Sequence, residues 1–215
     1  MELFLNEITV SGFLNALGSD APAPGGGAAS GLSGSLAAAL GKMVADLTLK
    51  RKKYEDFWDS AKNASDILAV KIETFRILAE EDAKAYTNYS KALALPKETE
   101  EEKAARKNAL NEAILFSTDV PCRVISTALE TLPVLENLYG KSNKTCMGDL
   151  AAAAEELNTA CKIAWLNVLA NVPYLPDAEV ANKIMTEKKL LLDEVSKRCS
   201  ALYDAVEKDI IKALN

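Results

Sequence analysis

Apolar residues recur along this chain at steps of three and four, the spacing that keeps them on one face of an α-helix. The clearest stripe is Phe57, Ala61, Ala64, Leu68, Ile72, Phe75, Ala79, Tyr86 and Tyr89; a second is Leu191, Val195, Cys199, Leu202, Val206 and Ile210. No segment alternates apolar and polar residues for long enough to argue a strand. Boundary signals divide the pattern into helices. Thr9 is placed to cap a short helix that ends near Gly18, and the following turn is fixed in extended form by Pro22 and Pro24. A second helix is predicted over 26–49 and a long third over 54–93, closed by Pro96. The acidic run 98–102 suits the start of a fourth helix reaching Thr118. Val120-Pro121 then either kinks that helix or opens a fifth, which runs to Leu138 with Gly140 as C-cap. A sixth is predicted over 148–172, closed by Pro173 and Pro176, and the last over 177–214.

Helices of about 38 residues are about 55 Å long, whereas a globule of this size has a radius of gyration of only about 17 Å. The predicted fold is therefore all-α: an elongated up-and-down bundle of long helices, with a Gly-rich turn opening a central helix. No linker or repeat divides the chain, so residues 1–215 are expected to form a single domain. The overhanging flanks of such a bundle suggest pairing with a second copy, and a homodimer is expected.

Composition narrows the function. The 215 residues carry a net charge of −6, which argues against a nucleic-acid partner. No run of eighteen strictly apolar residues occurs and Met1–Glu7 lacks a signal-peptide pattern, so no membrane partner is expected and a cytoplasmic location is. Cys122, Cys146, Cys161 and Cys199 form no CxxC pair and read as packed thiols. Histidine is absent, which excludes a Ser-His-Asp triad, a Cys-His dyad and an HExxH metal site. Any general acid or base must be Asp, Glu, Lys, Tyr or Cys, and titration near neutrality then needs a shifted carboxylate or amine.

Several segments could carry such chemistry. In Pro22-Ala23-Pro24-Gly25-Gly26-Gly27, three glycines leave backbone N–H groups uncovered where a helix begins, a natural site for an anion or carbonyl; a tight turn with close helix packing is the plainer reading. Small residues continue at four-residue spacing through Gly27, Gly31 and Ser35 and through Ser30, Gly34 and Ala38, as a buried central helix requires. Asp82 falls on the apolar stripe of the third helix, where desolvation would raise its pKa and Tyr86 could reach it; it could equally serve a buried donor. Asn143 and Asp149 precede and open an Ala-rich helix, where Asp149 is placed to cap. Further along that helix Asn167 and Asn171 share a small-residue stripe and need partners. Lys50, Arg51, Lys52 and Lys53 form the one dense basic cluster, able to attract a polyanionic tail or simply to be solvated.

Together these residues resemble the cyclodeaminase/cyclohydrolase family of tetrahydrofolate enzymes. The resemblance rests on Pro22-x-Pro24-Gly25-Gly26-Gly27, Met43-Val44-Ala45-x-Leu47-Thr48, Lys52-Lys53-Tyr54, Asp82-Ala83-x-Ala85-Tyr86, Val120-Pro121, residues 143–149 and Asn167-Val168. The chain departs from the usual family pattern at Asp46, Thr145 and Gly148. The resemblance implies a helical, dimer-forming bundle with a folate cleft beside the glycine turn. It implies either closure of 5-formiminotetrahydrofolate to the 5,10-methenyl form with loss of ammonia, or hydrolysis of the methenyl bridge. No metal and no tightly bound cofactor is implied; a tetrahydrofolate derivative, with or without a polyglutamate tail, is the substrate. In this reading Asp82 and Asp149 move protons. Pro24, Gly25, Gly26, Gly27, Tyr86, Asn143 and Asn167 bind the substrate, and Lys50, Lys52 and Lys53 attract its tail. The alternative is a non-catalytic helical dimer that binds a folate or a partner protein.

Overall fold

The computed structural model describes residues 7–214; the reading of the N-terminal start falls largely on residues 1–6, outside the described residues. Helix α1 spans Val10–Leu17, α2 Gly26–Leu49, α3 Trp58–Leu93, α4 Glu100–Leu138, α5 Met147–Asn171 and α6 Ala178–Leu214. Short 3-10 turns at Lys52–Phe57, Lys144–Cys146 and Val172–Tyr174 link them, and no strand occurs among the described residues.

The caps follow the sequence signals. Thr9 Oγ1 accepts the Gly12 N–H at α1. Thr99 and Glu102 form a reciprocal capping box at α4, whose first turn carries Glu100, Glu101 and Glu102. Three expectations are corrected. The third helix begins at Trp58, because a 3-10 turn occupies Lys52–Phe57. On α6 the buried stripe holds Leu192 in place of a fully buried Leu191, and Ile210 is exposed. Asp149 lies in the first turn of α5 without capping it; the nearby cap is Asn143, whose Oδ1 accepts the Thr145 N–H and closes the preceding 3-10 turn.

The alternative left open at Val120-Pro121 resolves to one helix of 39 residues with Pro121 and Pro133 inside it. A proline cannot donate to the carbonyl four residues back, so Pro121 orphans the Ser117 carbonyl. Asn171, at the end of α5, supplies the missing donor: its Nδ2 lies 2.7 Å from Ser117 O. A long-range side chain thus completes a helix that local propensity alone would break.

α2 sits between α3 and α5 and runs antiparallel to both. Ser35 Oγ donates to Ile72 O of α3 at 3.0 Å, and Ser30 Oγ to Ala160 O of α5 at 2.8 Å. At the other end of α2, Thr48 Oγ1 accepts the Asn143 N–H at 2.9 Å. α3 pairs antiparallel with α4 through Lys71–Glu130 and Glu81–Arg123, and α6 lies along α4 through the Arg198–Glu136 pair. Close approach to α2 depends on its glycines. A Cβ at Gly31 would stand 2.7 Å from the Ala79 backbone N, and one at Gly34 would stand 2.3 Å from the Phe75 ring. By length and composition α2 could cross a bilayer, but its small-residue face is packed between two neighbouring helices, as the core helix of a bundle. The four cysteines are buried free thiols; burial raises Cys161 and Cys199 to about 12, which makes them packing groups rather than nucleophiles.

Gly31→Ala must displace backbone and is expected to cost about 1–3 kcal/mol or more. Gly148→Ala, where a Cβ meets nothing within 4 Å, should stabilise by about 0.5–1 kcal/mol. Urea unfolding of the two variants checks the contrast, and equal effects would refute this account of α2 packing.

Candidate active site at the glycine turn

Pro22, Ala23, Gly25, Gly26 and Gly27 form one wall of a cavity of about 440 Å³. α3 contributes Asp82, Ala85, Tyr86 and Tyr89, α4 contributes Ile114 and Ser117, and α5 with its terminal turn contributes Asn167, Asn171 and Tyr174. The size and the mix of apolar walls with a few polar groups are those of a small-molecule site.

The glycine turn and Asp82 are built around each other. A Cβ at Gly27 would lie 1.9 Å from Asp82 Oδ1, so the carboxyl occupies the volume that any other residue would fill. From there it accepts the Ala28 N–H in the first turn of α2. That hydrogen bond favours the ionised form, as does the positive end of the helix. Burial opposes both and wins: the carboxyl is pushed up from 3.8 to about 6. The Gly26 and Gly27 N–H groups lie too early in the helix for an i−4 partner and find none among the described residues. The cavity therefore presents uncovered donors beside an acid that changes charge near neutrality.

The amides opposite are oriented. Asn167 Nδ2 donates to Ile163 O at 2.9 Å, and Asn171 Nδ2 to Ser117 O, which leaves both Oδ1 atoms as acceptors. Tyr86, 42% exposed despite its place on the apolar stripe, makes no hydrogen bond to Asp82 and instead forms the rim of the cavity. Pro24 is buried under the turn and does not line the space. Tyr89, Ser117, Ile114 and Tyr174 line it without having been singled out as site residues from the sequence. Only Tyr89, on the stripe of Asp82 and Tyr86, gave a local signal.

The rest of the expected site lies elsewhere. Lys50, Lys52, Lys53, Asn143 and Asp149 cluster at the opposite end of α2, where Asn143 N meets Thr48 and Lys144 N meets the Tyr54 hydroxyl at 3.0 Å. α2 has 24 residues, so about 35 Å of helix separates the two ends. Within one chain Asp149 does not share a hollow with Asp82. Asp46, at that same far end, feels burial but is held below the usual range by hydrogen bonds from Lys42 and Ser65.

The sequence profile of the formiminotransferase-cyclodeaminase family matches residues 9–190. The chain belongs to this family. Within it, the chain is 32% identical to methenyltetrahydrofolate cyclohydrolase of Methylorubrum extorquens over 94% of its own length and 97% of that protein. It is 28% identical to formimidoyltransferase-cyclodeaminase of Mus musculus over 96% of its length, and covers 38% of that longer protein. The crystal structure of formiminotetrahydrofolate cyclodeaminase from Thermotoga maritima shares the fold with a TM-score of 0.79, at 24% identity, over 94% of this chain and 99% of that one. The all-helical architecture read from the sequence is thus the architecture of the formiminotransferase-cyclodeaminase family.

A folded-state pKa above the unfolded value favours the protonated fold. The Asp82 contribution is complete below about pH 4 and is lost as pH rises through about 6. Asp82→Asn keeps an acceptor for Ala28 and removes this penalty. Thermal unfolding should show the variant gaining about 3 kcal/mol on wild type between pH 4 and pH 8. A pH-independent difference would contradict the assignment.

Proposed function

We propose that the chain is a tetrahydrofolate one-carbon enzyme that opens the 5,10-methenyl bridge by hydrolysis. The observation that carries the proposal is the Asp82 carboxyl, desolvated in the gap left by Gly27 and poised near pH 6 beside bare helix N–H groups. The bridging carbon lies between two nitrogens and is electron-poor. Asp82 as carboxylate takes a proton from water as its oxygen adds to that carbon. The tetrahedral adduct then expels N5, which takes up a proton as the C–N5 bond breaks. The adduct's hydroxyl loses its proton to become the formyl carbonyl, and one proton is released overall. The N–H groups of Gly26 and Gly27 are suited to hold an oxygen that gains negative charge. The Asn167 and Asn171 carbonyl oxygens are suited to the ring N–H donors of a pterin, and Tyr86, Tyr89 and Tyr174 to its flat faces.

The co-extensive relative named as a cyclohydrolase favours hydrolysis. The relative in Mus musculus supports a second reading, ring closure of 5-formiminotetrahydrofolate with loss of ammonia. There N10 attacks the formimino carbon, and the departing nitrogen leaves as ammonia after gaining a proton. The same acid can serve either reaction, moving a proton at oxygen or at nitrogen.

Pairing with a second copy belongs to the same proposal. α2 exposes Leu36 and Met43, 47% and 39% exposed, flanked by Leu32, Leu40 and Leu47, which are half-buried against the core. A stripe of this kind on the central helix suits an isologous contact. Light scattering should find a dimer, and Leu36→Glu should yield monomers; a monomeric wild type would remove the pairing.

Loss of methenyl absorbance and release of ammonia from the formimino compound, followed in parallel, test the activity. Hydrolysis is expected to rise with pH through about 6, in step with ionisation of Asp82. Asp82→Asn should reduce turnover by about a hundredfold or more. Background rates on both substrates with retained folate binding would favour the non-catalytic alternative.

A further inference from the structure

Two prolines interrupt α4, and the bundle treats them differently. Neither Pro121 nor Pro133 has an N–H for the carbonyl four residues back, so Ser117 O and Leu129 O each lack their helical donor. No side chain among the described residues donates to Leu129 O. Ser117 O receives Asn171 Nδ2 from the end of α5 at 2.7 Å, across 54 positions of sequence. A proline inside this helix therefore does not by itself recruit a side-chain donor, and repair of the helix does not account for the bond at Ser117. Ser117, Ile114 and Asn171 all line the cavity at the glycine turn, so the bond joins two of its walls.

An amide has a donor end and an acceptor end. Against Ser117 O only Nδ2 fits, because two carbonyl oxygens at that distance repel. The orientation of Asn171 is thereby fixed, and its Oδ1 is left open and unpartnered on the cavity side. Asn167 is held less firmly. Its Nδ2 donates to Ile163 O at 2.9 Å, a carbonyl one turn back on its own helix that the Asn167 backbone N–H also uses. Ser117 O has no such competitor, because residue 121 is a proline. Helix packing sets where the Asn171 amide sits, and Pro121 sets which way round it faces.

We infer that Pro121 is a positioning residue for ligand recognition: by leaving the Ser117 carbonyl open, it holds the Asn171 amide with its oxygen toward the cavity, where that oxygen reads an N–H donor on the flat ring of the ligand. The inference rests on the folate reading above, in which the donor is the 2-amino group of the pterin. Pro121 does not line the cavity and acts only through Ser117 and Asn171. With alanine at 121 a helical N–H returns to Ser117 O, and the hold on Nδ2 weakens. The amide is then free to present either end to the cavity. Selection of a donor over an acceptor is lost while the shape of the cavity is kept.

The test compares 5-formyltetrahydrofolate with its 2-desamino analogue, which lacks that one donor. Both are titrated calorimetrically into the full chain. Wild type should prefer the 2-amino compound by about tenfold or more, because the analogue leaves the Asn171 oxygen unpaired. Asn171→Leu should bring the ratio of the two affinities close to one. Pro121→Ala should lower it to about threefold or less, and adding Pro121→Ala to Asn171→Leu should change it no further. A purely structural role for Pro121 weakens both ligands in proportion and keeps the wild-type ratio, which overturns the inference. A wild-type ratio near one, or a ratio that survives Asn171→Leu, overturns it equally. Hydrogen exchange of the Asn171 side-chain amide, followed by NMR in the ligand-free protein, reads the same hold without a ligand. It should be slow in wild type and faster in Pro121→Ala; rapid exchange in wild type overturns the inference even where the alanine variant does not fold. Failure of 5-formyltetrahydrofolate itself to bind wild type removes the folate reading first, and with it the role of Pro121 in recognition, even where the amide is protected.

Discussion

A carboxyl group occupies the place of a missing side chain: Asp82 Oδ1 stands where the Cβ of residue 27 would be in any residue but glycine. From that contact follow the rest of the site's properties. Asp82 is drawn out of water and its affinity for protons rises, even though it touches the positive end of α2 and accepts a backbone N–H. Desolvation outweighs the helix terminus because one hydrogen bond replaces only part of the hydration of an ionised carboxylate. A protein without histidine thereby obtains a group that titrates close to neutrality.

The contact is possible only because the bundle lets α2 and α3 approach closely along their length. Gly31 against Ala79 and Gly34 against Phe75 set the separation, and the hydroxyls of buried Ser30 and half-buried Ser35 tie α2 to carbonyls on either side. Packing and chemistry are therefore coupled through one helix. The Asn171 amide extends this coupling: it completes the helical bonding of α4 across Pro121 while its other atom faces the cavity. The position of the cavity wall and the continuity of the longest helix depend on the same hydrogen bond.

Features with local causes could be read from the sequence. The run Gly25-Gly26-Gly27, the stripe that carries Asp82, and the bounds of α2 each depend on residues a few positions apart, and the structure reproduces them. Features that depend on which helix ends meet were not legible in the same way. Tyr174 enters the cavity from a 3-10 turn, and Ser117 and Ile114 from the middle of α4, without any pattern that distinguishes them from neighbours. Asp149, Asn143 and the Lys50–Lys53 cluster, read from the sequence as serving the same substrate, do not line the cavity at the glycine turn within one chain, for a reason the sequence did contain. They lie beyond the far end of a 24-residue helix, and an α-helix cannot bring its own two ends together.

The most direct measurement is the titration of the Asp82 carboxyl carbon by NMR, assigned by its disappearance in Asp82→Asn. The account predicts a midpoint near 6 in the folded protein. It also predicts that Gly27→Ala, by forcing the carboxyl out of its gap toward solvent, returns the midpoint toward 4. A midpoint near 4 in the unaltered chain would contradict the claim that Gly27 and Asp82 together create the ionisable centre of the site.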